Sequence, residues 1–476
     1  MSSTRLSALD ASFLAVETPT AHMHVGWVAS FSADADGALP HFSELRDHIA
    51  RRLGRAPRYR QKLARVPLGL HSPEWIDDPA FSVERHVYWA PGPLSELVDE
   101  VMSTPLRRDR PLWEMWICED TEHERLALVG KAHHCMVDGI AAVELGSLLL
   151  DATIETEHCE PDGWSARSQP GAERLLLRGA RDLIGFQLGL FTRPLRAVVS
   201  SPISAARTSV SGSLRVTRAL SNSLRAAPAS VLNVPLSPLR RMAWTERSLD
   251  DLRTVKQAHG TTVNDVMLAA VAGGIRSYLM RRGERPVALK AMVPVSVRSE
   301  KDILGNHISF VFAQLPCDEP DALGRLRQVH ATMNARKRGG EPEGADLALK
   351  AAEYTPGVVQ NAISRMMASP RTFNLVVSNI PGPPGQLYML GCPLEATYPV
   401  VPLADSHAVS VGMTTVRNRA CFGVYTDRKR MPDAGRLAMD IDHAIAELLE
   451  GSRPSVAGAT KRRPRRSNGK RAALGA

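Results

Sequence analysis

The sequence predicts an α/β protein built from two similar lobes. Three observations carry that prediction. The chain has 476 residues, more than one ordinary core uses, so two domains or a duplicated domain is expected. Strand-like and helix-like segments alternate through its first third and again after residue 242. A strand–loop–helix unit also occurs twice: ERLALVGKAHHCMVDGIAAVELG at 124–146 is echoed by VRNRACFGVYTDRKRMPDAGRLAMD at 416–440. In the echo, Asp433 stands roughly where Asp138 does, with no histidines ahead of it. One lobe thus carries chemistry that the other lacks.

Along the chain, residues 24–31 are a strand candidate and 42–53 an amphipathic helix with arginines on one face. Residues 93–104 follow as a second helix and 126–133 as a buried strand, completing an N-terminal lobe over 1–155. Between 156 and 241 the texture changes to Ser, Pro, Gly and Arg, with few acids after Asp182, and a basic helical linker is expected. Within it, 172–191 is helix-like, with Leu176, Ala180, Leu183 and Leu188 near one face and Arg174, Arg178 and Arg181 on another. Such a helix packs on its own protein or lies on a membrane.

A C-terminal lobe follows over 242–452. Residues 248–259 and 264–279 read as helices separated by the turn residues 260–262, and 287–297 and 307–315 as strands. A strand at 373–377 runs into Ser378, Asn379 and a proline- and glycine-rich turn that must present backbone tightly. Residues 420–426 are a strand, 427–432 a loop, and 433–449 a helix with Asp433 as its cap. Residues 453–476 are expected to be a disordered basic tail.

Hydrophobic residues at 44% and charged residues at 23% describe a globular chain. No apolar stretch approaches the roughly 18–20 residues that cross a bilayer. The N-terminal segment lacks the basic-then-apolar build of a secretory signal, so a cytoplasmic location is expected. Six cysteines without a Cys-x-x-Cys pair argue against a zinc ribbon and a disulfide framework, and for reduced, mostly buried thiols. The net charge of +9 is localised: seven of the 59 basic residues lie between Lys461 and Arg471, leaving 52 against 50 acids elsewhere. Such a tail can bind nucleic acid or an anionic membrane surface, or simply be solvated, and does not by itself make a nucleic-acid-binding protein.

The stretch 125–151 points most directly at chemistry. An apolar strand delivers His133 and His134 into a short loop, Asp138 and Gly139 follow, and an Ala- and Leu-rich helix candidate comes next. Histidine is the natural base for taking a proton from an alcohol near neutral pH. Consecutive strand residues alternate faces, so the two imidazoles are not expected to point the same way, and twin metal ligation is disfavoured. No His-Glu-x-x-His or cysteine pair completes a metal site. Cys135 beside His134 suggests a thiol–imidazole pair, but adjacent residues rarely align sulfur and ring and no orienting partner is evident. A satisfied pair of core histidines is the remaining bland alternative. Asp138 suits the start of the next helix, or a pairing with an arginine that pins the loop, and either role is support rather than proton transfer.

His133-His134-x-x-x-Asp138-Gly139 resembles the motif of the chloramphenicol acetyltransferase-like CoA-dependent acyltransferases. More narrowly, residues 6–450 resemble the bacterial wax ester synthase/diacylglycerol acyltransferase family. The resemblance is carried by LDASFL at 9–14 with Met23-His24, Pro111-Leu112-Trp113-Glu114, NVPLSPLRR at 233–241, Val263-Asn264-Asp265-Val266, Leu304-Gly305-Asn306 and SNIPGPP at 378–384. It implies two chloramphenicol acetyltransferase-like lobes, mixed sheets flanked by helices, with a channel between them. Long-chain acyl-CoA would enter from one side, as substrate rather than cofactor, and diacylglycerol or a fatty alcohol from the other.

His134 would then be the general base and His133 scaffold. Asn264 becomes the candidate oxyanion donor, with helix capping as its alternative duty and Asp265 as the better cap if the helix begins one residue later. Pro111, Leu112, Trp113, Gly139, Asp265, Ser378 and Asn379 are expected along the substrate channel, although a tryptophan in an apolar wall is the ordinary alternative for Trp113. The partners implied are acyl-CoA, the acceptor lipid and a membrane or lipid-droplet surface. The expected location is cytoplasmic, on the inner face of the plasma membrane or on lipid droplets. A carrier-protein or specialised-alcohol acyltransferase and a non-catalytic lipid-binding protein are the competing readings.

Overall fold

The computed structural model describes residues 5–64, 72–120, 124–136, 149–168, 171, 173, 177, 225–296, 308–339, 357–383 and 385–453. Asp138, Gly139, Leu304-Gly305-Asn306, Pro384, most of the 172–191 helix candidate and the tail from 454 lie outside the described residues.

The chain runs α1 (Ala8–Val16), β1 (His24–Phe31), α2 (Phe42–Arg52), β2 (Gln61–Ala64), β3 (Glu74–Asp77), β4 (Val87–Trp89), α3 (Leu94–Ser103), β5 (Trp113–Asp120) and β6 (Arg125–His133). It resumes with β7 (Arg240–Ser248), α4 (Leu249–His259), α5 (Val263–Arg281), β8 (Leu289–Ser296), β9 (Ile308–Leu315), α6 (Ala322–Arg338) and α7 (Gly357–Met367). The last elements are β10 (Leu375–Ile380), β11 (Tyr388–Met389), β12 (Cys392–Val400), β13 (Val409–Val416), β14 (Arg419–Asp427) and α8 (Ala434–Gly451).

Twelve of these strands form two six-stranded mixed sheets, ordered β11-β12-β1-β6-β5-β4 and β7-β14-β13-β10-β8-β9, and β2 and β3 pair as a separate two-stranded sheet. The echo seen in the sequence is structural. β6 and β14 are each nine residues long, share one burial pattern, and run antiparallel to both neighbours. Counting along the strands sets His133 against Asp427. There the second lobe uses a carboxylate to hold its loop: Asp427 accepts hydrogen bonds from the backbone N–H groups of Lys429 and Arg430, each at 2.9 Å.

The expected partition into lobes at residue 242 requires one correction. β11 and β12 belong by sequence to the second half, yet β12 pairs with β1 in the first sheet, Gly26 opposite Val400 and Val28 opposite Tyr398. The physical reason is space above the second sheet. Gly412 and Gly423 face each other across β13 and β14. A Cβ on Gly423 would stand 2.1 Å from the Pro399 carbonyl oxygen, and one on Gly412 would stand 2.9 Å from the Pro399 ring. The two glycines let β12 cross close over the second sheet on its way to the first. Tyr398 adds a ring contact with Trp244 and a hydrogen bond to the Glu246 carboxylate on β7.

The junction is closed from the other side by α3. Asp99 accepts from the Met242 N–H at 2.9 Å and from Arg241 Nε at 3.0 Å, which explains part of the 233–241 segment. Arg240, almost fully buried, donates to the carbonyls of Ser237 and Thr20 and stands 3.6 Å from Asp427.

Two cap expectations change. Thr262, not Asn264 or Asp265, is the N-cap of α5: its side chain accepts from the Asp265 N–H, and Asp265 returns a bond to the Thr262 N–H, closing a capping box. Asp433 does occupy the N-cap position of α8, but its side chain makes no capping hydrogen bond.

Candidate active site

The histidine turn is built at one end of the first sheet. β6 is held between β1 and β5, and both neighbours anchor the two residues at its end. The His133 N–H donates to the Leu112 carbonyl at 2.9 Å, and the His134 N–H donates to the Met23 carbonyl at 3.0 Å. Met23 adopts a φ of 50° to present that carbonyl. The Met136 N–H then closes a turn onto the His133 carbonyl. Three motif segments separated in sequence therefore meet at the histidines.

The two imidazoles part as strand alternation requires. His133 is wholly buried on the face it shares with Lys131 and with His24, whose ring lies edge-on at 6.3 Å. Its Nδ1 accepts from the Cys135 N–H at 3.1 Å, which leaves the proton of the neutral ring on Nε2. That atom faces the Glu17 carboxylate at 3.6 Å, and Glu17 is itself paired with Arg108. Burial, with a further push from the Arg108 charge, lowers the His133 pKa to about 3, so the ring is neutral at physiological pH. His134 lies past the strand end, half-buried, and stacks face to face on Phe13 of α1 at 3.6 Å. Of the two, His134 is the ring that keeps part of its surface exposed.

The same arrangement disposes of the thiol alternative. Cys135 is buried, and its pKa is raised far above the ordinary thiol range by that burial, so it is a structural thiol. Among the described residues no group of three His, Cys, Asp or Glu side chains could hold a metal ion.

The segment 111–114 turns inward. Trp113 is buried, donates its indole N–H to the Tyr59 carbonyl at 2.7 Å and stacks on His86 at 4.6 Å. Leu112 is equally buried and supplies the carbonyl that holds His133; Pro111, also buried, precedes it. Glu114 pairs with the buried Lys131 at 3.1 Å, and Lys131 also donates to the Val101 and Thr104 carbonyls at the end of α3.

The other candidates stand in the second lobe. Asn264 occupies the first turn of α5, half-buried, free of the capping duty that Thr262 performs. Asp265 is buried and engaged by Thr262 and by His330 Nδ1 at 2.8 Å. Ser378 and Asn379 lie at the end of β10, opposite Gly412 and Met413. The turn after them is tight: a Cβ on Gly382 would meet the Thr415 carbonyl oxygen at 1.6 Å.

The sequence reading did not single out the partners of the histidines. Phe13 lies within the quoted LDASFL segment, but its stacking arises only when α1 packs across the turn. Glu17 and Arg108 carry no local pattern at all.

Comparison with known proteins agrees with this architecture. Residues 6–267 match the profile of the wax ester synthase/diacylglycerol acyltransferase catalytic domain, and residues 304–449 that of the family's C-terminal domain. A probable diacylglycerol O-acyltransferase of Mycobacterium tuberculosis, tgs1, is 32% identical over 460 residues, covering 93% of this chain and 95% of the relative. Among solved structures, the wax ester synthase/diacylglycerol acyltransferase from Marinobacter aquaeolei VT8 aligns with a TM-score of 0.68 at 27% identity, over 94% of this chain and all of that one. The trichothecene 15-O-acetyltransferase TRI3 from Fusarium sporotrichioides shares the fold, with a TM-score of 0.57 at 14% identity over 94% of this chain and 95% of that one. With both family domains matched in order and the histidine turn assembled, this chain belongs to the wax ester synthase/diacylglycerol acyltransferase family.

Proposed function

We propose that the chain transfers a long-chain acyl group from acyl-CoA to the free hydroxyl of diacylglycerol, forming triacylglycerol, with His134 as general base. Fatty alcohols, giving wax esters, are a side activity. Acyl transfer as the reaction type follows from family membership. The observation that supports His134 as its base is the split between the histidines, one sealed and neutral in the core and the other half-buried beneath Phe13.

In the proposed reaction, His134 takes the proton of the attacking hydroxyl as its oxygen adds to the thioester carbonyl. The C–S bond then breaks and the departing thiolate of CoA recovers that proton from the imidazolium. A thioester is activated enough for direct transfer, so no acyl-enzyme is required. General-base assistance of this kind contributes about 10²–10⁴-fold. Asn264 is our candidate donor to the oxyanion of the tetrahedral intermediate, a role worth about 3 kcal/mol. Ser378, Asn379 and Gly139 would line the substrate channel, with Asp138 supporting the loop. Pro111, Leu112 and Trp113 would shape the site from behind, by holding the His133 backbone.

None of the described helices is long and apolar enough to cross a membrane. The proposed setting is the cytoplasmic face of the membrane or a lipid droplet, where a diacylglycerol acceptor resides.

The test is competition. Purified protein with a long-chain acyl-CoA is offered diacylglycerol, monoacylglycerol and hexadecanol together, and products are separated by thin-layer chromatography. Triacylglycerol should dominate. A product from hexadecanol alone would reverse the acceptor assignment, and no product from any acceptor would turn attention to a carrier-protein donor or a binding role.

A further inference from the structure

Helix α7 presents an apolar stripe to solvent. Val359, Ile363 and Met366 are 44%, 39% and 50% exposed. Their i, i+4, i+7 spacing places them on one face of the helix. Single exposed apolar residues are ordinary, but three aligned along a helix are not. Within its own segment the charge has one sign: between residues 357 and 383 the charged side chains are Arg365 and Arg371, both exposed, and no carboxylate occurs. An apolar stripe on a segment whose only charges are exposed bases suits a surface with an apolar interior and anionic head groups.

The helix is held by its contacts with α1, where Arg365 Nε donates to the Ala15 carbonyl at 3.1 Å. Its C-terminal turn is closed by Ser369 and Thr372, both donating to the Met366 carbonyl. From there the chain enters β10, which ends at Ser378 and Asn379. The exposed stripe thus lies on the helix that packs against α1, whose Phe13 covers His134, and the chain leads from it into the strand that ends in Ser378, Asn379 and Ile380.

We propose that α7 docks the protein on an anionic phospholipid bilayer, with Val359, Ile363 and Met366 entering the acyl-chain boundary and Arg365 and Arg371 meeting lipid phosphates. The inference deepens the reading above, since a diacylglycerol acceptor dissolved in that bilayer would be delivered at the α1–α7 side of the site.

The test uses the full chain and the double variant Ile363→Glu/Met366→Glu, whose folding is verified by circular dichroism and melting. Both are sedimented with vesicles of phosphatidylcholine and phosphatidylglycerol, without substrate. The variant should bind about tenfold more weakly or worse. Its turnover should fall on diacylglycerol embedded in those vesicles and stay unchanged on a short, water-soluble alcohol. Equal vesicle binding by parent and variant would overturn the docking assignment. So would binding lost on removal of residues 456–476 yet indifferent to the double substitution, or a parent dimer that the substitutions dissociate, which would assign the stripe to a second copy. Vesicle binding is read without turnover, so a parent inactive on every acceptor would sink the acyltransferase reading and leave the docking result standing.

Discussion

Phe13 lies flat on His134, with ring centroids 3.6 Å apart and planes 10° from parallel. The contact joins the first helix of the chain to the proposed base and fixes the plane of the imidazole from one side. A base must be held within a few tenths of an ångström to act on a bound hydroxyl. Phe13→Ala should therefore lower kcat by about tenfold, with KM for acyl-CoA nearly unchanged. Steady-state kinetics on both substrates check this, and an unchanged kcat would show that the stacking is only packing.

His134→Ala should fold normally and lose at least about 10²-fold in acyl transfer. His133→Ala should act on stability instead. Its ring is fully buried and accepts the Cys135 N–H, so its removal leaves a void and an unpaired donor, at a cost of about 2 kcal/mol or more. Melting temperature and turnover, measured on both variants, separate the roles. A stable, inactive His133→Ala protein beside an active His134→Ala protein would reverse them.

Buried neutral histidines make the fold sensitive to acid. His22, His24, His48, His86, His133 and His407 all have pKa values lowered, chiefly by burial. For such a group the unfolded chain takes up a proton that the folded chain refuses. Its stabilising contribution is complete above the unfolded value near 6.5 and is lost as pH falls below it, for His133 down to about 3. Each such histidine removes up to about 1.4 kcal/mol per pH unit in that window. Melting temperature should be flat from pH 8 to 7 and fall steeply below about 6.5. A flat profile down to pH 5 would contradict this burial.

Gly382→Ala should be poorly tolerated. The added methyl would stand 1.6 Å from the Thr415 carbonyl oxygen, an atom of the strand backbone that cannot swing away. The turn after Ser378 and Asn379 would have to move, at a cost of about 2–3 kcal/mol. Thermal melting and assay of the soluble fraction check the expected loss of both stability and activity.

Asp99→Ala should loosen the junction of the lobes. The carboxylate accepts from the Met242 N–H and from Arg241. Its loss leaves a buried backbone donor unpaired, worth about 1–3 kcal/mol. Denaturant unfolding should show the loss of stability, and a second transition would show the two lobes melting apart.

The parts of this molecule legible in its sequence are those whose information is local. β1 occupies residues 24–31 as its alternation indicates, and β6 differs from the expected strand by one residue at its start. The separation of His133 from His134 follows from strand geometry alone. Capping of α5 was misplaced by two or three residues, because Thr262, Asn264 and Asp265 all carry side chains able to cap, and the choice rests on backbone angles set by the preceding turn. The partners of the histidines were not legible for a different reason. Phe13, Glu17 and Arg108 reach them through packing between elements, which leaves no period in the chain.

The amino-acid sequence by itself determined the two-lobed α/β architecture, the duplicated strand–loop–helix unit and the family, because periodicity and motif order survive without tertiary contacts. Only the tertiary structure decided that β12 leaves the second half to complete the first sheet, that His133 is sealed in the core, and that His134 stays half-buried beneath Phe13. Those outcomes depend on which surfaces can approach one another. The cleared backbone of Gly412 and Gly423 beneath Pro399 settles the first, and the packing of α1 across the end of β6 settles the last.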